Sequence, residues 1–309
     1  MATLYGQNFR VLTYDTVAQK FKCVGMATNC TVNLNTNTEE ASTKDDVGMA
    51  SKPEIVSKGW QVSVESLSIA DAGAMLTAIK NMRLFTLVWD EVSTVDNQTP
   101  QQASFSYRGD AYLNDMTLQL DDRANCTKNL QFTGNGALES QPDIEESFAE
   151  ISAGSYTKGQ NVRLFLSDDN TTTPVKVLAA PQSLSLHVSV SLETTTTKDT
   201  DGDWVVQEPT GISYDISTSG LVRSGDTITS SVAALDLGDL QEIYEDASPV
   251  KWQIANTSGA NNRTKGSIIA SGSVILASLN IQAQNRQAAK FDASFNGWGN
   301  YTVEDPSES

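Results

Sequence analysis

Histidine is almost missing from this chain, occurring once in 309 residues, at His187. Ser-His-Asp or Cys-His chemistry would have to be built around that imidazole, since general-base work near neutral pH usually falls to histidine. His187 lies on the polar side of an alternating segment whose relative carries Asn33, so it reads as an ordinary exposed position. Cysteine is scarce too: Cys23, Cys30 and Cys126 form no CxxC pair, and one histidine cannot complete the usual zinc sets. Buried, reduced thiols are the expectation. Gly134-Asn135-Gly136 lacks the residues that would make it a phosphate loop and reads as a turn near a strand end. No apolar run approaches the roughly 18 residues that a membrane span needs. The chain opens without a charged and apolar leader, so a soluble protein made in the cytoplasm is expected. These shortages leave an enzyme as the least favoured class, with no catalytic, cofactor-binding or metal residues expected.

Cations are also few, 21 Lys and Arg against 38 Asp and Glu, for a net charge of -17. Residues 1–153 carry 20 acidic and 11 basic side chains and the remainder 18 and 10, so neither half is a basic nucleic-acid-binding module. The acidic runs Asp45-Asp46, Asp168-Asp169 and Asp199-Thr200-Asp201-Gly202-Asp203 suggest a test for calcium. The last resembles the opening of an EF-hand loop but lacks its Glu and its flanking helices, so a solvated loop tip is the better reading. Nothing selects a carboxylate pair for glycoside hydrolysis.

What is present is said twice. Gly6-Gln7-Asn8-Phe9-Arg10 returns as Gly159-Gln160-Asn161-Val162-Arg163, and Thr43-Lys44-Asp45 as Thr197-Lys198-Asp199. Phe132-Thr133-Gly134-Asn135-Gly136 returns as Phe295-Asn296-Gly297-Trp298-Gly299 at a longer offset, which places extra residues in the second copy around 221–231. Period-two patterns repeat with these words and predict strands with one buried face. Val32 and Leu34 correspond to Leu184, Leu186, Val188 and Val190; Trp60, Val62 and Val64 to Ile212, Tyr214 and Ile216; Met116, Leu118 and Leu120 to Leu279, Ile281 and Ala283. Each copy carries one helix. Ser68 and Asp71 resemble a capping box ahead of Met75, Leu76, Ile79 and Met82, while Leu237, Leu240, Ile243 and Tyr244 share a face in the second. Repetition of words, strands and helix in one order is the mark of a tandem duplication.

The fold expected is mainly β: two tandem β-sandwich domains, each with a flanking α-helix and a long hairpin loop. Residues 1–138 form the first, 139–158 an acidic linker with Pro142, Asp143, Glu145, Glu146 and Glu150, and 159–309 the second with a short acidic tail. About 150 residues suffice for each to bury its own core.

The order of elements resembles the major tail tube protein of tailed bacteriophages: a Trp-x-Val-x-Val strand from Trp60, a helix, then a hairpin carrying Tyr107-Arg108-Gly109-Asp110-Ala111-Tyr112. The resemblance covers most of 1–138 and, more weakly, 156–303. It implies β-sandwich domains assembled six to a ring around a continuous β-barrel, rings stacked into a DNA conduit, and location in the virion tail. It implies as partners the protein itself, tape measure, tail terminator, baseplate or tail-tip proteins, a sheath where the tail contracts, and double-stranded DNA passing without specific binding. With two domains per chain, three chains would close a pseudo-hexameric ring. The long polar loops match the family's inter-subunit hairpin, making Glu39, Glu40, Lys44, Asp45, Asp46, Lys198, Asp199, Asp201 and Asp203 candidates for contacts between subunits or rings.

The alternating strands put Asn33, Gln61, Ser63, Glu65, Thr117, Gln119, Asp121, Ser185, Ser189, Ser213, Asp215, Ser217, Asn280, Gln282 and Gln284 outward, without Lys or Arg. Glu65, Asp121 and Asp215 would then face a lumen. Two other readings remain open: another ring-forming virion protein, such as a head decoration protein or tail terminator, and a β-sandwich adhesin or carbohydrate-binding module. The second usually shows clustered exposed aromatics, whereas Trp60, Trp89, Trp204, Trp252 and Trp298 are dispersed.

Overall fold

The computed structural model describes residues 6–16, 19–43, 52–67, 69, 71–92, 106–144, 156–167, 169–170, 173–174, 176–197, 202–222, 234–258 and 264–304. In order these form β1 (Phe9–Asp15), β2 (Lys20–Cys23), β3 (Ala27–Glu40), β4 (Pro53–Ser66), α1 (Ala72–Lys80), β5 (Leu84–Glu91), β6 (Tyr107–Gln119) and β7 (Thr127–Ser140). The second set is β8 (Val162–Leu166), β9 (Lys176–Leu178), β10 (Pro181–Thr194), β11 (Gln207–Leu221), β12 (Ala234–Leu235), α2 (Leu237–Asp246), β13 (Val250–Ser258), β14 (Thr264–Gln282) and β15 (Lys290–Val303). The protein is mainly β, as its period-two patterns predict.

Eight antiparallel strands run side by side as β3-β4-β7-β6-β10-β11-β15-β14, so the inner sheet continues from one half of the chain into the other. A smaller group, β5-β1-β2, hangs on the other end of β6, and β13-β8-β9-β12 hangs on β14 in the same way. β6 serves both layers because its pairing shifts between Leu113 and Asp115: residues 107–112 pair with β5 and residues 115–119 with β10. β14 shifts between Leu276 and Ser278, 163 positions later. A bulge bends and twists its strand, which lets one strand pass from layer to layer. The layers pack face to face through Phe85 against Phe132, with ring centroids 5.7 Å apart, and through Tyr214 against Trp252 at 5.9 Å.

Register repeats more closely than the words do. Val32 faces Val62 as Leu186 faces Ile216, and the shift between Asn37 and Thr38 recurs between Ser191 and Leu192, all 154 positions apart. This corrects one correspondence: Val62 faces Phe132 and Ile216 faces Phe295, so Trp60, Val62 and Val64 match Tyr214, Ile216 and Thr218. Thr218 is buried in an apolar position because its Oγ1 donates to the Ser183 carbonyl at 2.8 Å.

One core runs through both halves, from Val62, Met116, Leu118 and Phe132 to Leu184, Leu186, Ile216 and Phe295. Separate cores were the expectation; they merge because β6 and β10 zip together. Helix α1 also bridges the halves, since Tyr301 Oη on β15 donates to the Leu76 carbonyl at 2.7 Å. Asp71 is the N-cap of α1, but its carboxylate accepts from the buried Lys128 ammonium and makes no cap bond; Ser68 lies outside the described residues. Burial pulls Lys128 below its ordinary range, with Asp71 opposing. Met82 falls beyond the helix in a left-handed conformation. The complete capping box is in α2, where Asp236 and Asp239 each accept from the other's backbone region, and Tyr244 there points away from the core. Of the linker, Ile144 packs on Leu12, Phe21 and Val88, while residues 145–155, with Glu145, Glu146 and Glu150, lie outside the described residues.

Candidate functional site

Leu186 and Val188 on β10 face Leu118 and Met116 on β6 in the five-residue pairing of 185–189 with 115–119, and all four are buried. The 154- and 163-residue offsets carry these positions onto Val32, Leu34, Ile281 and Leu279. None of the four is buried: Leu34 is 55% and Ile281 42% exposed, and Val32 and Leu279 are half-buried. Among the described residues β3 pairs only with β4, and residues 278–282 of β14 pair only with β15. Among the described residues the eight-stranded sheet therefore ends in two unpaired edges that carry the counterparts of side chains buried at its midline. Unpaired edges are templates for another strand.

The sheet's uncovered face is polar. Gln61, Ser63 and Glu65 of β4 lie there, as do Ser213, Asp215 and Ser217 of β11, opposite the buried Trp60, Val62, Val64, Tyr214 and Ile216. Asp121 lies past the end of β6 and accepts from Gln119 Nε2 at 3.1 Å. Lys290, at the start of β15 and next to the buried Phe291, joins this face at a position the sequence pattern did not select.

His187 corrects its reading as an ordinary exposed residue. It is half-buried at the seam between the halves, with Nε2 2.7 Å from Asp115 Oδ2 on β6 and Nδ1 2.8 Å from Asp215 Oδ1 on β11. An imidazole held between two carboxylates is best satisfied as the cation, both nitrogens donating. Burial lowers its pKa, the hydrogen bonds and charges of Asp115 and Asp215 raise it, and the net shift is upward. A raised histidine pKa adds stability that is full below the unfolded value of about 6.5 and is lost as pH rises through the folded value. His187→Asn is therefore expected to lower Tm most at about pH 5.5 and progressively less in alkaline buffer. Thermal melts across that range check it, and a pH-independent difference would remove the clamp.

The hairpin candidates divide. Glu39 and Glu40 are exposed at the end of β3. Asp203 is taken within the chain: its Oδ2 lies 3.1 Å from Lys58 Nζ, and its carbonyl accepts from the Lys58 N–H at 2.7 Å. Lys44, Asp45, Asp46, Lys198, Asp199 and Asp201 lie outside the described residues. Burial pushes the Cys23 thiol up to about 12 and Cys126 to about 11, which keeps both protonated.

Among the described residues the eight-stranded sheet is covered on one face and unpaired at both edges. Residues 157–303 match the family model described as phage tail tube protein. Among solved structures the chain is similar, at 14% identity and a TM-score of 0.36, to a protein in the tail of an empty gene transfer agent (GTA) particle solved with C6 symmetry. It is similar to the same degree to a protein of the native GTA virion; both matches cover 48% of this chain and 99% of the other. The SPP1 tail tube matches at 14% identity and a TM-score of 0.36, over 48% of this chain and 81% of that one. No curated protein matches the sequence. The family match lies wholly within the second half of the chain and spans just under half of its length.

Proposed function

We propose that three copies of this chain close a ring by pairing β14 of each with β3 of the next, in the register that β10 already makes with β6, and that such rings stack as the tail tube. The observation that carries this is the exposure, at the two free edges, of the counterparts of the side chains buried at the midline. Residues 1–138 and 159–309 then act as two tube domains joined by 139–158, and three chains of eight inner strands supply six such domains. The expected register sets Val32 against Ile281 and Leu34 against Leu279 of the neighbour. Each edge gains backbone hydrogen bonds and buried apolar area together, and ring closure leaves no edge.

The outer strand groups and helices occupy the apolar side of the sheet and need the larger circumference, so the polar face becomes the inner wall. Glu65, Asp121 and Asp215 would line it. Few cations means few phosphate contacts, while acidic side chains repel DNA within a Debye length of about 8 Å. Double-stranded DNA would pass without specific binding. Glu39 and Glu40 would meet a neighbouring subunit or ring; tape measure, terminator and tip proteins would meet the ends of the stack.

Cryo-electron microscopy of purified tubes tests this. Threefold rings with three chains each are expected. Six full-length chains per ring, or single rings that never stack, would overturn it, the latter favouring a head decoration or terminator role.

A further inference from the structure

The residues that join the two halves of one chain are not repeated at the two free edges of the sheet. Asn135, within β7, accepts from the Gln207 N–H of the second hairpin at 2.7 Å. The offsets that relate the halves carry Asn135 onto Trp298 and Gln207 onto Pro53. Proline has no N–H to give, so this bond has no counterpart between chains. Instead Trp298 is 49% exposed, and Pro53 is exposed with Ile55, itself 47% exposed, two positions along the same side of β4.

Other polar contacts change in the same direction. Lys58, paired with Asp203, maps onto Ile212. The cluster of His187, Asp115 and Asp215 maps onto Asn33, Ser278 and Gln61, which carry no charge. Gly136 and Gly299 both hold positive φ, 84° and 73°, so the residues next to Asn135 and Trp298 share one backbone conformation. Shape is kept while chemistry is exchanged.

We infer that Trp298 of one chain seats on Pro53 and Ile55 of the next, an apolar latch between chains at the place where a polar latch joins the halves within a chain. This rests on the ring closure proposed above. Trp298 buries a large apolar body, and proline presents a rigid apolar ring that loses little freedom on contact. The exchange also sorts the junctions: an Asn135 carbonyl set against Pro53 would find no donor, and Trp298 set against Gln207 would cover a backbone N–H.

Trp298→Ala and Trp298→Asn, each in the full chain, are expected to raise the protein concentration needed for ring formation by tenfold or more, with the Tm of the isolated chain unchanged. Trp298→Asn combined with Pro53→Gln rebuilds the polar pair and is expected to recover most of that loss. Sedimentation across a concentration series reads both effects. Unchanged ring formation by Trp298→Ala, or normal rings that fail only to stack, would overturn the latch while leaving ring closure standing. Failure of the double variant to improve on Trp298→Asn would also count against it. Absence of rings from the unaltered chain would instead sink the ring reading beneath it.

Discussion

Leu34→Asp and Ile281→Asp are each expected to give a folded chain that no longer closes rings. Both residues occupy edge positions whose counterparts, Val188 and Leu118, are fully packed at the midline. In the lone chain their exposure means that an added carboxylate stays in water and costs little. Against a neighbouring edge it would be stripped of water with no cation opposite, because the facing positions are Leu279 and Val32. The charge then removes about 2 kcal/mol of apolar burial and adds a desolvation cost of about 3 kcal/mol or more. Every junction of a ring carries the same defect, so the loss multiplies around the ring. Light scattering should report single chains at concentrations where the parent forms rings, and Tm should match the parent. Val188→Asp supplies the contrast, since it is expected to unfold the chain. Rings formed by Leu34→Asp at normal concentration would sink the edge-pairing reading.

Much of this geometry was legible in the residues. Alternation at Val32, Leu34, Leu184 to Val190 and Met116 to Leu120 identified strands because one face of each is apolar, whether a neighbour chain or the same chain covers it. What period two could not fix was alignment. Sliding the second copy by two residues keeps every side chain on its face, and Ile212, Tyr214 and Ile216 matched Trp60, Val62 and Val64 better by composition than the true trio ending in Thr218. A single hydroxyl with a backbone partner was enough to mislead.

The seam was illegible for a different reason. His187 meets Asp115 and Asp215 only through strand pairings that bring together positions 72 and 28 residues apart, and β6 reaches β10 only after its bulge. A pattern read along one strand has no access to its neighbour. Asp71 shows the same limit at a helix: its place before α1 signalled a cap, but the buried ammonium of Lys128 claimed the carboxylate. Burying that cation without its partner would cost more than one cap bond supplies.

The recurrent Phe-x-Gly-x-Gly word leads to the second large effect. Gly134→Ala and Gly297→Ala are each expected to destabilise the chain by about 3 kcal/mol or more, through steric conflict with a buried aromatic ring. A Cβ on Gly134 would sit 2.3 Å from Cε2 of Trp60, and one on Gly297 would sit 2.6 Å from Cδ1 of Tyr214. Neither ring is free to retreat. Trp60 is held between β4 and β7 with its Nε1 donating to the Gly136 carbonyl at 3.1 Å, and Tyr214 Oη donates to the Ser273 carbonyl at 2.5 Å. Gly109 and Gly272, also 163 apart, approach the same two side chains: a Cβ on Gly109 would sit 2.6 Å from Cζ2 of Trp60, and one on Gly272 would sit 3.0 Å from Nε1 of Trp252 and 3.1 Å from Oη of Tyr214. Gly136→Ala makes the internal comparison: nothing lies within 4 Å of its Cβ, but its φ of 84° penalises a side chain by about 1–2 kcal/mol. Denaturant melts should therefore rank Gly134→Ala well below Gly136→Ala. In a Trp60→Leu background the added cost of Gly134→Ala should fall sharply, because the clashing ring is gone. Full additivity of those two changes would show that the glycine is required for some reason other than the indole pressed against it.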